Sequence, residues 1–187
     1  QKARLQSSLA AAGHSTAVMR AASYYSPVSN FQDRVAGIGY FRLIEDLEKH
    51  FEEKKETLKE NLKKLMLLIF RPENLFVSVT TDEKGYLGVE GRVSTLRHLL
   101  YQTPVQTGKI HYDLEQKNEG FSTAGQVQYV AVSGNYKEAG YAYTGALRIL
   151  KVILSYDYLW MNIRVKGGAY GCMSSFKRSG DSFLVSY

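Results

Sequence analysis

One segment concentrates polar side chains suited to carbonyl chemistry: Leu159-Trp-Met-Asn-Ile-Arg-Val-Lys-Gly-Gly-Ala-Tyr-Gly-Cys172. Arg164 and Tyr170 stand six residues apart, with Gly167 and Gly168 between them. A guanidinium is a planar fork that matches carboxylates and carbonyl oxygens. A phenol adds a neutral O–H donor. Two such donors converging across a glycine turn can hold a peptide carbonyl and stabilise the charge that develops on its oxygen. The glycine pair permits either a positive φ or a close backbone approach. The same residues also fit a plain structural role: a glycine C-cap, an arginine that offsets the helix C-terminal dipole, and a core tyrosine.

Other reactive residue types are sparse. The four histidines, at positions 14, 50, 98 and 111, form no pair at helical ligand spacing, so no local metal site is expected. His14 reads as a structural or surface histidine. The single cysteine, Cys172, excludes an internal disulfide framework. With no histidine nearby in sequence to activate it, it reads as a small buried hydrophobe. The chain has 24 basic and 18 acidic residues, a net charge of +6 and a pI near 9.3. That balance raises a nucleic-acid module, but acids interleave with bases through residues 45–64 and no nucleic-acid signature is present. This mixed run is expected to be a solvated helix face, with Glu60 and Lys64 as an i, i+4 pair. The longest near-apolar runs, Leu65–Phe70 and Ala146–Leu154, fall short of the ~20 residues that span a bilayer. No long apolar stretch precedes Gly13 to suggest a secretory signal. The chain opens on Gln1 within a helix-like run and closes on the strand-like Ser182–Tyr187, so it is expected to be a piece of a longer polypeptide.

The elements that must position Arg164 and Tyr170 follow from periodicity. Residues 2–22 suit one or two helical segments interrupted at Gly13, and Ser29 or Asn30 is a candidate N-cap for the next helix. Tyr40, Ile44, Leu47 and Phe51 share one helical face, and Leu58, Leu62, Leu65 and Ile69 repeat that spacing up to the stop at Pro72. Asn74–Thr81 alternates like a strand, Asp82–Gly85 reads as a turn, and 86–100 reads as a helix. Residues 103–125 lose the pattern and are the expected linker. Gln126–Val132 predicts a strand. A helix is expected from about Glu138 to Ile163, buried against a sheet, with Ile153, Tyr156 and Trp160 in the core. Strands through Cys172–Phe176 and after the Ser179–Asp181 turn complete the pattern. The expected class is α+β, with helices on one face of a mainly antiparallel sheet.

The motif Arg164-x-x-Gly-Gly-Ala-Tyr-Gly171, preceded by Tyr158-Leu-Trp, resembles the C-terminal half of the pitrilysin/insulinase-type (inverzincin) zinc peptidases, closest to the presequence-protease-like subfamily. Gly13-His-Ser-Thr-Ala, Tyr24-Tyr-Ser-Pro, the Gly37-Ile-Gly-Tyr helix and Arg71–Thr80 resemble the later part of that subfamily's third domain. Asn118-Glu-Gly-Phe and Gln126-Val-Gln-Tyr-Val resemble the opening of its fourth. The resemblance implies residues 1–102 as the end of the third domain, 103–125 as a linker and 126–187 as a truncated fourth domain. It implies a clamshell of two halves enclosing a chamber in which peptides are degraded.

The family's zinc lies in the N-terminal half, at an inverted His-x-x-Glu-His helix. This chain has no such motif, so it is expected to bind no metal, with zinc belonging to the full-length parent. By position in the motif, the resemblance makes Arg164 a substrate-binding residue and Tyr170 both substrate-binding and catalytic, with Gly167 and Gly168 shaping the turn. The implied partners are peptide substrates and the N-terminal catalytic half. The isolated piece is expected to be inactive, and the compartment to be a bacterial cytoplasm or an organelle matrix. The alternative is a catalytically inactive scaffold or core subunit of the same fold, against which the intact Arg164–Tyr170 pair argues. An open edge at the strand ending in Tyr187 would invite self-association.

Overall fold

The computed structural model describes the whole chain except Thr107 and Ala124, two positions of the expected linker, and the side chain of Glu90. The described residues divide into two compact units, one formed by Gln1–Lys49 with His111–Tyr187 and one by His50–Ile110.

In the first unit, α1 (Lys2–Ala11) and α2 (Gly13–Ala22) meet at the Gly13 interruption that the sequence marks. Helix α3 (Pro27–Ala36) is capped by Ser26, whose Oγ accepts from the Ser29 N–H at 3.4 Å, with Pro27 in the first turn. The cap therefore lies upstream of the expected Ser29 or Asn30. Proline needs no N–H partner at N1, so Ser26-Pro27 starts the helix earlier. Helix α4 (Ile38–Lys49) begins on the buried Asp33 carboxylate, which accepts from the Ile38 N–H at 3.1 Å and the Gly39 N–H at 3.3 Å. A Cβ on Gly37 would stand 2.5 Å from that carboxylate, and one on Gly39 2.9 Å. The Gly37-Ile-Gly spacing thus makes room for an anionic cap at the positive end of the helix dipole. On the outer side Lys2 pairs with Glu48 at 2.6 Å and Gln1 Nε2 donates to Tyr40 Oη at 2.5 Å, joining α1 to α4.

Strands β1 (Val130–Asn135), β2 (Cys172–Phe176) and β3 (Asp181–Ser186) form an antiparallel sheet in the order β1-β3-β2. In register, Val132 faces Leu184 and Ser174 faces Leu184 from the other side. The strand leading to Tyr187, expected as an open edge, is therefore the central one, bonded on both sides, and the edges are β1 and β2. Val18, Met19 and Ala22 of α2 face Met173 and Phe183 across a small cavity. On strand alternation Ser174 points the other way, and its hydroxyl meets that of Ser155 at 3.3 Å. The class is α+β as expected, with helices placed on both faces of the sheet. The buried apolar residues are Ala22, Tyr136, Leu159 and Val185.

The helix expected from Glu138 starts later. Asn135 Oδ1 accepts from the Lys137 and Glu138 N–H groups, an Asx turn that folds the chain at the end of β1. After the second unit's two long helices, α5 and α6, helix α7 runs from Ala146 to Ile153 and continues as a π-helix, Leu154–Lys166. The wider π turn breaks the 3.6-residue stripe, so the residues expected in the core do not stay on one face. Ile153 is exposed, Tyr156 is 69% exposed and Trp160 44%, whereas Leu159, off that stripe, is 3% exposed against the sheet side. The expectation of a deeply buried helix is corrected accordingly.

The second unit holds α5 (Phe51–Ile69), a short 3-10 turn (Pro72–Asn74) and α6 (Glu83–Leu99). The face expected to continue from Tyr40 to Phe51 is broken at His50, between α4 and α5. Charges on α5 pair at i, i+3: Lys55–Glu52 at 2.5 Å, Lys59–Glu56 at 3.6 Å and Lys63–Glu60 at 3.0 Å, so Glu60 takes Lys63 rather than the expected Lys64. The run Asn74–Thr81, expected as a strand, takes no ladder partner among the described residues. Alternation becomes a strand only where a second chain segment supplies its N–H and C=O partners. Asp82, expected in a turn, is the α6 N-cap, accepting from the Gly85 N–H at 2.8 Å.

Candidate functional site

The π-helix ends in a turn closed by nested backbone bonds. The Gly168 N–H donates to the Arg164 carbonyl at 3.0 Å, and the Ala169 N–H to the Ile163 carbonyl at 3.2 Å. Gly168 holds φ at +77°, the left-handed value that side chains disfavour, while Gly167 stays helical at φ −85°. A Cβ on Gly167 would lie 2.6 Å from the Ile163 carbonyl oxygen. The two uses of glycine that the sequence leaves open are thus divided between the pair: one accepts the unusual backbone angle, the other the close approach.

This turn separates two exposed side chains. The Arg164 guanidinium lies 4.4 Å from the centre of the Trp160 ring, a cation–π geometry one helical turn back, and it stays at the negative end of the helix. Tyr170 is 81% exposed, which excludes the core-tyrosine role, and its ring centre is 6.1 Å from that of Tyr187. Arg164 and Tyr170 leave opposite ends of one turn with different aromatic neighbours, and both present polar atoms to solvent. His14 stacks on Tyr187 at 4.9 Å. Cys172 is half-buried at the start of β2.

A second polar cluster has no local signature in the sequence. Arg20 Nη1 donates to Asp33 Oδ2 at 2.7 Å, while Nε and Nη2 grip both oxygens of Glu119 at 2.7 and 3.1 Å. Arg34 lies over Tyr112 and Arg42 over Phe121. Three arginines, from α2, α3 and α4, therefore hold residues 112–121, inside the expected linker. Hydrogen bonds from Arg20 pull the Glu119 carboxyl down to about 2. Burial, with the Glu119 carboxylate adjacent, pushes the Tyr24 phenol up to about 12. The chemistry of this cluster is that of a latch: its charges are mutually satisfied. Among the described residues, no group of three or more His, Cys, Asp or Glu side chains could hold a metal ion, so the chain's residues do not fit a zinc site. No described helix is long and apolar enough to cross a membrane.

Two family models match. One is the PreP C-terminal domain, over residues 118–187, and the other is the peptidase-associated region of pitrilysin-family subfamily C, over residues 1–47. Over its full length the chain is 38% identical to Protein HypA of Clostridium perfringens and 29% identical to Presequence protease 1, chloroplastic/mitochondrial, of Arabidopsis thaliana. It is 27% identical over 99% of its length to Presequence protease, mitochondrial, of Yarrowia lipolytica. The chain spans 17–19% of the length of these curated relatives. With both matched regions drawn from the same peptidases, and with the glycine turn between Arg164 and Tyr170 in place, the chain belongs to the C-terminal region of the presequence-protease-type (subfamily C) peptidases of the pitrilysin family.

Proposed function

We propose that this chain forms part of the half that carries no zinc in a metalloendopeptidase that degrades peptides in a closed chamber. In this reading Arg164 holds a substrate backbone carbonyl or carboxylate through its guanidinium fork. Tyr170 donates its phenol proton to the oxygen that becomes negative as the scissile carbonyl turns tetrahedral. Gly167 and Gly168 aim both side chains from one turn. The zinc and the general base belong to residues outside this chain, supplied by the N-terminal half, and these residues alone are inactive. Residues 1–102 belong to a third family domain, 103–125 to a linker and 126–187 to a fourth. The names of the relatives support a mitochondrial or plastid matrix, or a bacterial cytoplasm, as the compartment. A chain of charge +6 would not by itself attract basic targeting peptides, so any acidic chamber wall comes from elsewhere.

The observation that carries this reading is the exposure of Tyr170 at the exit of a turn that only glycine accommodates. The test is Tyr170→Phe in the full-length peptidase, which keeps the ring and removes the donor. Loss of one such donor is expected to lower kcat by about 10²–10³ with little change in folding. Unchanged peptide turnover would remove Tyr170 from the mechanism.

A further inference from the structure

We propose that Tyr187, backed by His14 and Tyr129, is a positioning residue that sets the Tyr170 phenol for substrate; this rests on the role proposed above for Tyr170.

The argument starts in the backbone. Gly171 and Tyr187 exchange both main-chain hydrogen bonds, each at 2.9 Å, which extends the β2–β3 ladder one pair beyond Cys172 and Ser186. The residue next to Tyr170 is therefore pinned to the end of the central strand. The side chains repeat the arrangement. Gly171 carries no Cβ, and the Tyr187 ring occupies that space: a methyl there would stand 2.5 Å from Cζ and 2.6 Å from Oη. An aromatic ring opposite a strand glycine is a known way to restore the packing that glycine lacks. Tyr187 is held in turn by the His14 ring, stacked at 4.9 Å with 22° between planes, and by Tyr129 at 5.9 Å. Tyr129 reaches the base of α2 because Gly13 leaves its ring room. The Tyr170 ring comes last, tilted 48° to Tyr187 at 6.1 Å, inside the range at which aromatic pairs attract.

Tyr170 is so exposed that few contacts restrain its rotamers. The Tyr187 ring is one, and it joins the start of α2, the approach to β1 and the end of β3 in one aromatic shelf. A displacement of about 1 Å at a reacting group can cost as much as 10²-fold in rate. The ring, rather than the hydroxyl, of Tyr187 supplies the restraint.

In the full-length peptidase, Tyr187→Ala is expected to lower kcat about 10- to 100-fold with KM within about twofold. Tyr187→Phe restores the rate. Gly171→Ala drives a methyl into the ring and reproduces the loss while leaving Tyr187 in place. In a Tyr170→Phe background, Tyr187→Ala adds no further loss, because its effect passes through the phenol. 3-Fluorotyrosine at position 170 gives a readout independent of turnover: its fluorine resonance moves toward the free-tyrosine position in Tyr187→Ala. A stable Tyr187→Ala enzyme with wild-type kcat overturns the positioning role and leaves the Tyr170 reading intact. So does a Tyr187→Ala loss that is equally large with and without the Tyr170→Phe change. Wild-type turnover by Tyr170→Phe overturns the catalytic reading instead; the fluorine spectrum then decides alone whether Tyr187 holds the ring, and an unmoved resonance overturns it.

Discussion

The unit His50–Ile110 and the unit formed by Gln1–Lys49 with His111–Tyr187 spend their charged residues differently. On α5, lysine and glutamate pair with neighbours three residues away, on faces open to solvent. In the other unit, Arg20 reaches 99 residues along the chain to Glu119 and ties it to the buried Asp33. The distinction is energetic. An exposed local pair forms whenever its helix forms and adds little. A part-buried, bidentate pair between distant segments forms only when the tertiary fold forms, and leaves an uncompensated charge when broken.

The contrast is sharpened most by Arg20→Ala, which strips both Asp33 and Glu119 of their cation. It is expected to lower the unfolding free energy by about 2–4 kcal/mol, read from the urea midpoint. Arg20→Lys should recover only part, since an ammonium cannot grip both Glu119 oxygens. Acid titration probes the same latch. Glu119 is held at about 2 in the folded chain, below the usual 4.5, so its contribution is fully present above the ordinary glutamate range. It is lost as the pH falls from there toward about 2. The stability–pH curve of Glu119→Gln should be flatter over that interval; an identical slope would show that the pairing does not contribute. Gly168→Val forces a branched side chain to φ +77°, at a cost of roughly 1–2 kcal/mol or more, read as a lower Tm. Lys63→Ala on α5 should change stability by less than about 0.5 kcal/mol. A larger loss there would erase the difference between the two units.

Residues 2–22 break at Gly13 as their pattern indicates, α5 stops before Pro72, and the hairpin turns at Ser179–Asp181, because caps, prolines and glycines act over a few residues. The glycine turn between Arg164 and Tyr170 was legible for the same reason. Failures occur where a pattern needs a partner or a fixed period. Asn74–Thr81 alternates but has no ladder partner among the described residues, and the stripe through Ile153, Tyr156 and Trp160 assumes a 3.6-residue turn that the π-helix does not keep.

By itself, then, the sequence determined the helix boundaries set by local breakers, the antiparallel hairpin of β2 and β3, and the Arg-Gly-Gly-Tyr turn. Only the tertiary structure decided that the last strand is the central one, that Arg20 grips Glu119, and that Tyr187 and His14 stand behind Tyr170. Each of these joins residues far apart in the chain, whose meeting depends on how the sheet orders its strands and not on any spacing between neighbours.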